Sequence, residues 1–152
     1  MSKRITEATP VAFTDPLPDA VDVVIIGAGV VGTSCAYFLS RAGVKVLLCE
    51  KGRVAGEQSS RNWGWIRQQG RDPAELPIMM ESNRLWRGLA EETGEQDLTF
   101  TQSGCLYLAE TEAALEKYTE WYEVAKQHQL DTRLLTGEEV RELAPHLEGD
   151  WI

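Results

Sequence analysis

Residues that build metal sites and disulfide frameworks are scarce in this 152-residue sequence. Its cysteines number three, Cys35, Cys49 and Cys105, far apart and without a Cys-x-x-Cys pair. Histidine occurs only at His128 and His146. A zinc site or a disulfide framework is therefore not expected. The cysteines lie on apolar faces, read as core thiols, which fits a reducing, cytoplasmic compartment. No apolar run reaches the ~18–20 residues of a membrane span. Lys3 and Arg4 have no apolar stretch behind them, so residues 1–22 do not read as a secretory leader. Basic runs are also missing. Fifteen Lys plus Arg against 24 Asp plus Glu give a formal charge of −9. That balance disfavours nucleic acid and anionic membranes as partners and reads mainly as solubility. What is present, 43% hydrophobic and 26% charged residues, is enough for a folded domain with its own core.

Along the chain, Pro10, Pro16 and Pro18 mark residues 1–20 as a mobile or loosely docked lead-in. Val23-Val24-Ile25-Ile26 is a continuous β-branched run, the pattern of a strand buried on both faces. It runs into Gly27-Ala28-Gly29-Val30-Val31-Gly32. A helix is predicted over 30–41 and stopped by Gly43, followed by a second strand over 44–49. The result is a strand–helix–strand unit with a parallel pair. Residues 52–73, rich in Gly and Ser and holding Trp63 and Trp65, read as a long functional loop. Helices are predicted over 75–93 and 112–129, and a short one from Thr136 that Pro145 ends. Residues 98–101 and 104–109 read as short strands around Gln102-Ser103. Met79, Met80, Tyr118, Trp121 and Tyr122 read as core or interface packing.

The glycine turn carries the chemistry. It follows a predicted buried strand and opens a helix, which is the context in which G-x-G-x-x-G binds the ADP half of a dinucleotide. Gly27 permits a tight turn, Gly29 lets a pyrophosphate approach the backbone, and Gly32 lets the helix pack closely on the strand. The helix start supplies unpaired N–H groups and a partial positive charge. The second strand ends at Glu50, 18 residues beyond Gly32, where a carboxylate can accept from ribose hydroxyls. The same carboxylate repels a 2′-phosphate, which disfavours an NADP-type ligand. The turn does not by itself choose between FAD and NAD.

The sequence beyond Glu50 makes that choice through a resemblance. Glu50-Lys51-Gly52-Arg53, then Gln58-Ser59-Ser60-Arg61-Asn62, resembles the FAD-dependent oxidoreductases of the D-amino-acid oxidase and sarcosine oxidase (glycine oxidase-like) superfamily. Trp65-Ile66-Arg67, the stretch 85–94 and Phe100 to Leu106 continue the likeness, which runs from about Val21 onward. The resemblance implies FAD as cofactor. It implies a site built from Gly27, Ala28, Gly29, Val30, Val31, Gly32, Glu50, Lys51, Ser59, Ser60, Arg61 and Asn62. It also implies an amine or amino-acid substrate. In such enzymes a hydride passes from the carbon beside the amine nitrogen to flavin N5, leaving an imine that hydrolyses. Arg67 would lie near the flavin, where a guanidinium can pair with a substrate carboxylate, or it serves a plain loop ion pair. Trp63 and Trp65 either wall the flavin pocket or pack as core. No histidine stands in the 59–64 loop, so a histidyl–flavin bond is not implied. No residue makes a secure general base.

The expected fold is α/β. It comprises a Rossmann-like FAD-binding βαβ unit with its flavin loop over 21–73 and the incomplete beginning of an α+β substrate domain over 74–152. Two parallel strands and one helix cannot finish a doubly wound sheet. The sequence is therefore expected to be the leading piece of a longer polypeptide or a truncated copy of one, and completion by a downstream polypeptide is one reading. Rival readings are a NAD-dependent Rossmann dehydrogenase fragment, which needs further βα units soon after Glu50, and a truncated non-catalytic subunit.

Overall fold

The computed structural model describes residues 5–95 and 98–151. These fall into two compact units divided between Trp65 and Ile66.

In the first unit, strand β1 (Val23–Ile26) leads through the glycine turn into helix α1 (Val30–Arg41) and then strand β2 (Val46–Cys49). The strands are parallel and in register from Val23 opposite Val46 to Ile26 opposite Cys49. Helix α1 ends where the sequence places its stop. Gly43 takes φ +82°, its N–H donates to the Ser40 carbonyl, and Val44 N–H reaches back to Leu39. Both bonds satisfy carbonyls that the helix end would orphan. The lead-in is docked at one point: Arg53 donates through Nε to the Thr9 carbonyl and through Nη2 to the Glu7 carbonyl, each at 2.7 Å.

One expectation for this unit fails. The β1 run reads as buried on both faces, yet Val24 and Ile26 are 55% and 89% exposed. Helix α1 lies on the face of Ile25, whose Cγ2 sits beside Gly32. Among the described residues of this unit nothing covers the opposite face. The cysteines are corrected for a related reason. Cys35 is on the solvent side of α1 and exposed, while Cys49 and Cys105 are half-buried. Trp63 and Trp65 are not core either. Both are exposed, with ring centroids 6.4 Å apart.

The second unit is mostly helical. Helix α2 spans Leu76–Thr93, α3 Glu112–Gln127 and α4 Gly137–Leu143. Pro73–Glu75 forms a single 3₁₀ turn before α2, started by Asp72, whose side chain accepts from Ala74 N–H. Gly94 closes α2 in the left-handed conformation. Helix α3 stops two residues short of the predicted 129, because Gln129 itself takes φ +55° and Leu130 N–H caps the Ala125 carbonyl. The core gathers Leu76, Ala109, Ala125 and Val140, all buried. Trp121 Nε1 donates to the Arg71 carbonyl at 3.0 Å, and the Tyr118 hydroxyl donates to the Leu108 carbonyl at 3.4 Å. Trp86 stacks on Phe100 at 5.9 Å.

The strands expected over 98–101 and 104–109 are not formed among the described residues. Their composition suits strands, but Thr99 at φ +53° and Gly104 at φ +82° break the extended course. The segment is held through side chains instead: Tyr107 packs edge-on against Tyr118 with centroids 5.7 Å apart. Among the described residues, no helix is long and apolar enough to cross a membrane.

Candidate dinucleotide site

The turn between β1 and α1 is built as its glycines require. Gly27, at φ +102°, donates to the Cys49 carbonyl at 2.7 Å, tying the turn to the end of β2. A Cβ at Gly32 would sit 1.9 Å from the Gly27 carbonyl oxygen and 3.4 Å from Ile25 Cγ2. Only a glycine lets α1 approach β1 this closely. Gly29 caps α1 with extended backbone and offers no side-chain acceptor, and no acidic residue stands in the first helical turn. Thr33 and Ser34 turn their hydroxyls back onto the Gly29 and Val30 carbonyls. The first N–H groups of a helix have no intrahelical acceptor, so this start faces outward with its positive end uncompensated by a cap of its own.

Glu50 closes the site from the end of β2. Its Oε2 accepts from Ala28 N–H at 2.8 Å and its Oε1 from Gly52 N–H at 2.9 Å. These two bonds, aided by the neighbouring Lys51 charge, hold its carboxyl below the usual range near 4.5. The group is thus a carboxylate at neutral pH, with lone pairs left beyond the two it uses. Ala28, between the two, is 1% exposed.

Ser59 comes in from the 52–65 loop. Its Oγ accepts from Val30 N–H at 2.9 Å and lies 3.0 Å from where a Gly29 Cβ would be. The loop thus supplies the cap that Gly29 cannot, and the Ser59 hydroxyl keeps a proton to donate outward.

Gly27, Ala28, Gly29, Val30, Gly32, Glu50 and Ser59 are brought together. Val31 lies within the turn itself and is 74% exposed. The side chains of the other predicted residues make bonds elsewhere in the chain. Lys51 pairs with Glu57 at 3.4 Å. Ser60 donates to the Glu57 carbonyl, and Arg61 donates to the Gly56 carbonyl and faces the Glu57 carboxylate. Asn62 bonds the Gln58 and Ser59 carbonyls and accepts from Gly64 N–H. These bonds hold the loop in shape. Arg67 lies in the second unit, where its guanidinium donates to the Gln69 carbonyl.

Three further residues, outside the predicted cofactor-binding set, shape the site. Gly52 supplies one of the two N–H donors to Glu50. Ala55, at φ +57°, donates to the Ala28 carbonyl at 2.8 Å and so anchors the loop to the turn. Arg53 fastens the lead-in. Gly52 and Arg53 fall within the stretch that carries the family resemblance, while nothing in the sequence flags Ala55.

Residues 22–152 match the model of the DAO family, described as FAD dependent oxidoreductase. The chain belongs to that family of FAD-dependent enzymes. It is 33% identical over 148 residues to "Sarcosine oxidase subunit beta" of an Arthrobacter species, covering 95% of this chain and 36% of that protein. Among solved structures it resembles the L-amino acid deaminase of Proteus myxofaciens in complex with anthranilate. That match has a TM-score of 0.78 and 34% identity, over 87% of this chain and 31% of that one. It also resembles the L-proline dehydrogenase of P. horikoshii, with a TM-score of 0.78 and 32% identity, over 85% of this chain and 34% of that one. The chain therefore spans about a third of the length of these three relatives.

Proposed function

We propose that this chain is the FAD-holding N-terminal portion of an enzyme that oxidises an amine or amino acid at the carbon beside nitrogen. The carrying observation is the Glu50 carboxylate, bonded at 2.8 Å to the amide of Ala28 within the glycine turn. An ionised carboxylate beside a glycine-capped helix start supports a ribose acceptor there, and the close Gly32 packing supports a bound diphosphate. In this reading the amides from Gly29 to Gly32 hold the diphosphate, the Ser59 hydroxyl donates to it, and Glu50 takes the ribose hydroxyls. Ser60, Lys51, Arg61 and Asn62 keep the covering loop in place. Bound FAD would supply the acceptor for the hydride leaving the substrate carbon.

Relatives named for sarcosine, L-amino acids and L-proline support an amine or amino-acid substrate. We further propose that more polypeptide completes the substrate site. The subunit name of the sarcosine oxidase relative, the one-third coverage and the bare apolar Val24 and Ile26 side chains support this. A reducing, cytoplasmic setting is proposed from the low cysteine content, three residues with no Cys-x-x-Cys pair.

The test is spectroscopic. The purified chain, passed through a desalting column after incubation with FAD, should retain visible flavin absorption. Anaerobic sarcosine or L-proline should not bleach it unless the remaining polypeptide is supplied. Retention of NADH in place of FAD would overturn the reading. So would amine oxidation at enzyme-like rates by the chain alone, for the claim of completion.

A further inference from the structure

We propose that Arg53 is a positioning residue for the dinucleotide site, steadying the segment that carries Glu50 by gripping a turn of the lead-in. The lead-in, which no motif ties to a cofactor, then helps to set the affinity for the ADP half. This rests on the reading of the chain as the FAD-holding portion of an oxidoreductase.

Between Cys49 and Gln58 the chain has neither strand nor helix, so its shape depends on individual bonds. Toward the glycine turn it brackets Ala28. The Glu50 carboxylate accepts from Ala28 N–H at 2.8 Å, and Ala55 N–H donates to the Ala28 carbonyl at 2.8 Å. Arg53 stands inside that bracket. Its carbonyl accepts from Gly56 N–H at 2.8 Å, and a Cβ at Gly56 would lie 2.9 Å from the same oxygen, so the turn is tight. A shift of the Arg53 backbone is therefore passed on to Ala55 on one side and to Glu50 on the other.

Toward the lead-in, Arg53 holds two carbonyls with one guanidinium. Nε donates to Thr9 and Nη2 to Glu7, both at 2.7 Å. Two donors on a rigid planar fork fix direction as well as distance, and their charge strengthens both bonds. The acceptors are presented by a turn that closes on itself. Thr9 N–H donates to the Thr6 carbonyl at 3.0 Å, and Thr6 N–H donates to the Thr9 hydroxyl at 3.0 Å. Pro10 follows and disfavours helical backbone at Thr9, which ends the turn there. A loop that its ligand must order binds that ligand more weakly than one ordered beforehand. The clamp orders the Glu50 segment beforehand.

The test is a calorimetric titration of the full chain with ADP. Arg53→Gln should weaken ADP roughly three- to tenfold, because charge-assisted bonds that support the segment are lost. A variant lacking residues 1–10 should lose the same factor, and adding Arg53→Gln to it should cost no more. In a Glu50→Ala background, Arg53→Gln should change affinity by less than about twofold, because the carboxylate it positions is gone. By reciprocity, saturating ADP should slow hydrogen exchange at the Thr9 amide of the wild type by roughly the factor that Arg53→Gln costs in affinity. It should not slow that exchange in Arg53→Gln. A residue that only anchors the lead-in would produce neither the Glu50 dependence nor the slowed exchange. Unaltered ADP affinity in Arg53→Gln overturns the proposal and leaves the dinucleotide reading intact. An equal loss with and without Glu50, or Thr9 exchange that ADP does not slow, does the same. A wild-type chain that fails to bind ADP overturns the dinucleotide reading, and the proposal with it.

Discussion

Helices α1 and α4 begin in opposite ways. Helix α4 carries its own start: Thr136 accepts from Glu139 N–H, the Glu139 carboxylate reaches back to Thr136 N–H, and Glu138 adds a second negative charge. Helix α3 is similar, capped by Thr111 with Glu112 behind it. Helix α1 has glycine at the cap, no acidic residue in its first turn, and a borrowed hydroxyl from Ser59. Helices α3 and α4 thus neutralise their own orphan amides and dipole at the start. A helix that holds a diphosphate has to leave them for the ligand. The two kinds of start answer differently to mutation.

The largest effect is expected from Gly32→Ala. The added methyl would lie 1.9 Å from the Gly27 carbonyl, so β1 and α1 must separate. We expect a loss of about 3 kcal/mol or more, the upper range for forced overpacking, and no measurable FAD binding. Thermal unfolding and flavin titration check both.

Glu50→Gln should come next. It should weaken FAD roughly tenfold by removing a charged ribose acceptor, while ADP loses affinity in parallel. It should also change the acid limb of stability. Because the folded Glu50 pKa lies below its ordinary value, its stabilisation is whole above about pH 4.5. It is lost as pH falls through the lower folded value. The glutamine variant should show a correspondingly smaller decline over that window, read from denaturation midpoints at pH 3 to 6.

Thr136→Ala sharpens the contrast from the other side. It should cost about 1 kcal/mol of stability, as lost N-caps do, and leave FAD affinity unchanged. A fall in affinity would show that the two starts do not differ in role.

Smallest is Ser59→Ala. The hydroxyl both accepts from Val30 and has a proton for the ligand, so its loss should weaken FAD roughly threefold. Unchanged affinity would make it a cap and nothing more.

The first unit was largely legible in the sequence because its signals are local and agree with one another. The β-branched run, the three glycines, the helix stop at Gly43 and the acid at Glu50 each fix a nearby feature, and the structure joins them. The helix starts at Thr111 and Thr136 were legible for the same reason. What failed depends on neighbours distant in sequence. Whether Val24 and Ile26 are covered depends on what packs against the far face of the sheet. Whether residues 98–109 form strands depends on a pairing partner, and Thr99 and Gly104 bend the backbone away from one. The grouping of Ser59 with the glycine turn followed from the resemblance, but its bond to Val30 did not. That bond joins residues 29 apart through a loop whose shape is set by Ala55, a non-glycine residue at positive φ that no propensity flags.

The central claim is that the turn from Gly27 to Gly32, with Glu50, grips the ADP half of FAD. Titrating the purified chain into FAD and following flavin fluorescence tests it directly when ADP and FMN are added as competitors. Saturable binding that ADP reverses and FMN does not is the predicted result. Binding that FMN displaces as well as ADP does, or no binding at all, would contradict it.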